Sequence, residues 1–133
     1  MDISVTHEDQ DRFRVRIGRH DLVVDQPDTG DAGPSPTDLF VASLAACVAH
    51  YARRFLERHE IDATGLRVDC GFAMAADRPA RVSSIELTIE LPDGFPDRLR
   101  DRLHAVVEHC TVHNSLVSPP DVWIELVAPD RVA

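Results

Sequence analysis

Residues 35–58 read SPTDLFVASLAACVAHYARRFLER, and helix signals open the stretch. Ser35 can act as N-cap, Pro36 suits the first helical position, and the Asp38 charge complements the dipole in the first turn. A helix is expected from Pro36 to about Arg58, roughly 35 Å long at 1.5 Å per residue. Its middle, Ala42 to Ala49, is small and apolar on nearly every side. A helix apolar all round has to be buried all round. A chain of 133 residues has little left to cover it with. A second copy of the chain, in a homodimer, is therefore expected over the exposed flank.

Strand patterns lie on both sides of this helix. Upstream, Phe13, Val15 and Ile17 alternate with Arg12, Arg14 and Arg16, the period of two of a strand. IGRHD then offers a turn into LVVD, which makes a hairpin. The run QPDTGDAGPSP (26–36) is a loop, because Pro, Gly and Asp punctuate regular elements. Downstream, Leu66, Val68, Cys70, Phe72 and Met74 share one strand face, and Ile85, Leu87, Ile89 and Leu91 share another. DRPAR (77–81) joins them. A second helix begins near Pro96, with Leu99, Leu103, Val106, Val107 and Cys110 on one stripe. SPPD ends that region, and VWIELV (122–127) is a closing strand. The order β-β-α-β-β-α-β gives one α+β domain over residues 1–133, an antiparallel sheet packed on a long central helix.

Charge narrows the partners. The net charge is −9, and all 14 cationic residues are Arg. Such a chain does not suit nucleic acid or an anionic membrane, whose phosphates attract clustered positive charge. The charge-poor stretch Leu39–Ala52 is fourteen residues long, too short to span a bilayer. The start, MDISVTHEDQDRFRV, lacks an apolar run behind a basic end, so no signal peptide is expected and the cytoplasm is the expected compartment. Three cysteines in a reducing compartment point to catalysis, redox sensing or metal binding rather than a static framework.

Two of those cysteines sit in matching contexts. C-x-x-H occurs as Cys47–His50 and as Cys110–His113. Three uses remain open on pattern alone. The sulfurs can form a redox couple, in which a peroxide oxidises one thiolate to a sulfenic acid and the other thiol condenses with it. Cys47, His50, Cys110 and His113 can form a tetrahedral zinc site. Or the cysteines fill the core and the histidines rim it. Cys70, on a strand face with Leu66, Val68 and Phe72, is a small core hydrophobe.

GPSPTDLFVASLAAC and HCTVHNSL, in this order and at this separation, resemble the family of osmotically inducible protein C and organic hydroperoxide resistance protein (OsmC/Ohr). HDLVVDQP upstream and the closing strand fit as well, so the resemblance covers about residues 13–127. It implies an OsmC-like fold and an intertwined homodimer with two active sites. It implies a peroxidase without a bound cofactor, in which Cys47 attacks an organic hydroperoxide and Cys110 resolves the product as a Cys47–Cys110 disulfide. It implies a dithiol reductant, either a lipoylated or a thioredoxin-like protein. Leu39, Phe40, Leu44 and Phe55 then acquire a possible role as an apolar pocket for alkyl hydroperoxides. Hydroperoxidase branches carry Glu ten residues before the first cysteine; here that position is Thr37, and the acid is Asp38. An N-terminal Arg pairs with the cysteine and the acid in those branches, which makes Arg16 and Arg19 candidates. His20 is a further polar candidate, and His109, His113 and Asn114 accompany the second sulfur.

Overall fold

The computed structural model describes residues 2–129. Strands β1 (Ile3–Asp9), β2 (Arg12–Ile17) and β3 (His20–Val24) form an antiparallel sheet in the order β1-β2-β3. The expected hairpin is β2–β3, with Phe13 opposite Val24 and Ile17 opposite His20. Strand β1 was not expected. It pairs Ile3, Val5 and His7 with Ile17, Val15 and Phe13, so a second alternating row lies beside the first.

The loop after β3 is built around a buried carboxylate. Asp25 is 3% exposed and accepts from the backbone N–H groups of Gln26 (2.7 Å) and Ala32 (3.0 Å). Its own N–H donates to the Pro34 carbonyl at 3.1 Å. Gly33 passes so close to β3 that a Cβ there would run into the Val23 carbonyl oxygen. The loop thereby delivers Ser35 to the start of the long helix.

That helix, α1, is Pro36–Arg58 as its caps predict. The Ser35 hydroxyl accepts from the Asp38 N–H at 3.1 Å, and the Asp38 carboxylate accepts from the Ser35 N–H at 3.1 Å. This reciprocal pair satisfies two of the donors that every helix start leaves free. By length and composition α1 could also cross a membrane. Here it is the core helix: Val41, Leu44, Val48, Ala52, Phe55 and Leu56 are buried. Ala42, Ser43 and Ala46, on its other side, are exposed.

The antiparallel pair β4 (Arg67–Met74) and β5 (Val82–Glu90) packs on α1. A short 3₁₀ turn, Asp97–Leu99, leads into α2 (Arg100–Val107), which also packs on α1. The core joins Leu44, Val48, Ala52 and Phe55 to Leu99, Leu103, Val107 and Cys110. Val68, Ile85, Leu87 and Ile89 cover it half-buried.

Three expectations about element order need correction. There are two separate sheets rather than one, and the strand order gains β1. The second helix does not run through Cys110: it stops at Val107, and a new helix, α3 (Thr111–Val117), follows. Cys110 is extended (φ −69°, ψ 156°) and serves as N-cap of α3, its sulfur accepting from the His113 N–H at 3.4 Å. The sequence there, VVEHCTV, is rich in β-branched residues that lose side-chain freedom in a helix. Last, residues 122–127 are not a strand in the single chain. Trp123 and Ile124 are each 85% exposed. A strand needs a neighbour for its backbone groups, and the described residues offer this segment none.

Candidate active site

Cys47 and Cys110 meet where α1 passes the start of α3. Cys47 sits in the middle of α1, half-buried against the core, and Cys110 is fully buried within it. All three cysteines are free thiols. Cys47 packs against the core cluster that holds Cys110, close enough for its sulfur to act on the Cys110 thiol. Burial pushes the Cys110 thiol up from its ordinary range, and the Cys47 sulfur adds to the rise. The backbone N–H groups of His113 and Val112 pull the other way, because they stabilise a thiolate at the cap. The Cys70 thiol is pushed up by burial alone.

An open cleft of about 370 Å³ lies between α1, β5 and α3; Leu44, three positions before Cys47, and His113, three after Cys110, line it, and neither cysteine does. Phe40, Leu44, Ile85, Leu87 and Leu116 form its apolar walls, and Ser83, Ser84 and His113 supply polar groups. A thiol pair next to an apolar cleft suits two-electron oxidation by a molecule with a hydrocarbon body.

A sequence profile described as OsmC-like protein matches residues 28–125. The chain belongs to the OsmC-like family. No curated protein matches it. Solved structures of the family share the architecture of this OsmC-like chain. A candidate osmotic stress induced and detoxification response protein from Psychrobacter arcticus is 28% identical, covers 85% of each chain, and superposes with a TM-score of 0.76. An OsmC-like protein from Mycoplasma pneumoniae is 17% identical over 89% of this chain and 87% of that one, with a TM-score of 0.77. The organic hydroperoxide resistance protein OhrB of Bacillus subtilis is 17% identical over 90% and 93%, with a TM-score of 0.65.

The OsmC-like chain brings together some of the expected site residues and separates others. Phe40 and Leu44 line the cleft; Phe55 lies in the core with the His59 ring stacked on it at 4.2 Å, and Leu39 is half-buried on α1 outside the cleft lining. Asp38 is held in the Ser35 capping box. Arg16 forms a two-point pair with Asp21 (3.1 and 3.5 Å), and Arg19 lies in the β2–β3 turn with His20 beginning β3. Among the described residues, none of these groups hydrogen-bonds or pairs with Cys47, and the first sheet makes no extensive contact with α1.

The zinc set is not assembled either. Among the described residues no three His, Cys, Asp or Glu side chains group to hold a metal ion. His50 points from the exposed side of α1 and meets the edge of Tyr51, while His113 faces the cleft. Asn114 donates to the His109 carbonyl at 3.1 Å, which braces the turn before α3. The polar side of the cleft, Ser83 and Ser84, went unnoticed in the sequence. Its only signal there was a pair of serines opening the β5 run.

Proposed function

We propose that the protein is a thiol-dependent peroxidase of organic hydroperoxides in the cytoplasm. The observation that carries this reading is the half-buried Cys47 packed against the buried Cys110, with an apolar cleft lined by Leu44, three positions before Cys47, and by His113, three after Cys110. The Cys47 thiolate attacks the outer peroxide oxygen. An S–O bond forms, the O–O bond breaks, and the alkoxide leaves as an alcohol after taking a proton. Cys110 then condenses with the sulfenic acid, giving a Cys47–Cys110 disulfide and water. A dithiol reductant, lipoylated or thioredoxin-like, returns both thiols by exchange. The raised pKa of Cys110 suits the second role, since it stays a thiol until the sulfenic acid forms. Phe40 and Leu44, which line the cleft, form the proposed substrate side, while Leu39 and Phe55 lie outside it.

The reading includes an intertwined homodimer. A folded monomer of 14.8 kDa exposes about 7,000 Å² by the usual scaling. This chain exposes 10503 Å². Its exposed apolar residues include Ile3 and Val5 of the first sheet, the small-residue flank of α1, and most of residues 122–127. In a dimer the first sheet of one copy can reach the other copy's α1. That is the route by which Arg16 or Arg19 would approach a Cys47 and its Asp38.

Peroxide titration tests the reaction. With one equivalent of cumene hydroperoxide, the reduced protein should lose two thiols and keep Cys70 free. Cys110→Ser should stop at a trappable sulfenic acid, and Cys47→Ser should consume no peroxide above background. A second reading, a redox-sensing or binding protein of the same fold, is favoured by one observation. Asp38 and Arg16 already have other partners within the chain. Equal, slow consumption by wild type and Cys47→Ser would establish that second reading in place of the first.

A further inference from the structure

The turn that carries Cys110 is lightly held. Helix α3 buries none of its own side chains, and Leu116 and Val117 on it are exposed. Its start rests on α1 through the buried Cys110, the half-buried Val112, and one hydrogen bond. That bond joins the Tyr51 hydroxyl to the Thr111 hydroxyl at 2.9 Å. Tyr51 follows Cys47 by four positions, so it lies on the same face of α1, one turn on. Thr111 follows Cys110 directly. Each hydroxyl therefore belongs to the turn adjoining one of the two sulfurs. Among the described residues no other hydrogen bond links α1 to residues 109–118. The peroxidase reading uses neither group.

We propose that Tyr51 and Thr111 are positioning residues, latching the Cys110 turn onto the Cys47 turn and so setting how readily the disulfide closes. This rests on the cysteine-pair reading above. In the closing step the Cys110 sulfur attacks the sulfur of the Cys47 sulfenic acid. The S–S bond forms, the S–O bond breaks, and the departing hydroxide takes the Cys110 proton and leaves as water. The sulfurs have to come within about 2.05 Å of each other in the correct dihedral range. A lightly held turn reaches that geometry only part of the time. The hydroxyl pair and the disulfide require the same seating of α3 on α1, so each favours the other by the same factor. The latch supplies part of the ordering before the sulfurs react. A hydroxyl pair with a purely structural role would instead stabilise reduced and oxidised protein equally, and leave the thiol–disulfide equilibrium where it was.

Full-length wild type, Tyr51→Phe, Thr111→Val and the double variant are to be equilibrated in dithiothreitol redox buffers. Alkylation and mass measurement then give the fraction of Cys47–Cys110 disulfide. Phe keeps the ring and Val keeps the shape of Thr, and melting of the reduced proteins checks that all four are folded. Each single variant should lower the effective concentration of the thiol pair roughly threefold to tenfold, the size of one net hydrogen bond. The double variant should fall no further than the weaker single, because either change removes the same bond. Variants at the wild-type value, or a double variant that adds the two single effects, would overturn the latch while leaving the peroxidase reading intact. A wild type that forms no Cys47–Cys110 disulfide at any potential would overturn both.

Discussion

The half of the molecule built from α1, β4, β5 and α2 and the half built from β1, β2, β3 and residues 121–129 use the same kind of sequence. In both, apolar residues alternate with polar ones along the strands, while residues 122–127 carry a nearly continuous apolar run. In the first half the apolar row finds a neighbour: Val68, Ile85, Leu87 and Ile89 lie half-buried against a core that includes Leu44, Val48 and Leu103. In the second half much of it finds none, although Val24 at the end of β3 is buried. Ile3 is 63% exposed, and Val122, Trp123, Ile124 and Leu126 are more so. The difference is one of supply. The chain has a single long apolar helix to pack against, and β4, β5 and α2 occupy its buried face. Large apolar side chains exposed in this number mark an interaction face. On the proposed reading a second copy provides the missing neighbour.

The contrast breaks most directly at the tail. Replacing Trp123 and Ile124 together by Asp should raise the dimer dissociation constant by at least a hundredfold. Burying two such side chains is worth about 1.5–3 kcal/mol each. Sedimentation of wild type and variant at low micromolar concentration measures this. A wild type that is a stable monomer there would remove the proposed second copy.

The next largest effect belongs to the covered half. Leu56 is fully buried on α1, and Leu56→Ala should cost about 2–5 kcal/mol in urea unfolding through lost burial and the cavity left behind. A cost well under 1 kcal/mol would mean that α1 is not the closed core of the chain.

The smallest effect sharpens the comparison through pH. Cys110 lies in the covered half, and its folded pKa is raised above the ordinary 9.0 by burial first. The linkage for a raised pKa has a definite sign. The stability gained by keeping Cys110 as a neutral thiol is full below the ordinary value and is lost as pH rises through the folded value. Melting of the wild type should therefore fall above about pH 9, and Cys110→Ala should flatten that fall. An alkaline profile unchanged in the variant would place Cys110 in a more open environment than the core.

Local signals were legible. Ser35, Pro36 and Asp38 marked the start of α1, and the structure begins the helix at Pro36. The period-two runs marked β2, β4 and β5, because alternation on a pleated strand needs no distant partner to be seen. Strand β1 was missed: only Ile3 and Val5 carry its apolar row before His7, Glu8 and Asp9 make the stretch look polar. The break before Cys110 was missed because Leu99, Leu103, Val107 and Cys110 keep a helical spacing straight across it. The spacing of two C-x-x-H pairs left redox, zinc and core filling open. The resemblance to OsmC/Ohr proteins, rather than the spacing, favoured the redox couple.

By itself the sequence determined the elements whose cause is local: the capped apolar helix, the alternating strands, the loops, and an acidic surface. Tertiary structure alone decided which rows become covered. It placed Cys47 against Cys110, set the Tyr51 hydroxyl against Thr111 across sixty positions of chain, and left residues 122–127 without a strand partner. The physical reason is that caps and periodicity act over a few residues, whereas burial and hydrogen-bond partners depend on which distant surfaces a folded chain has left to share.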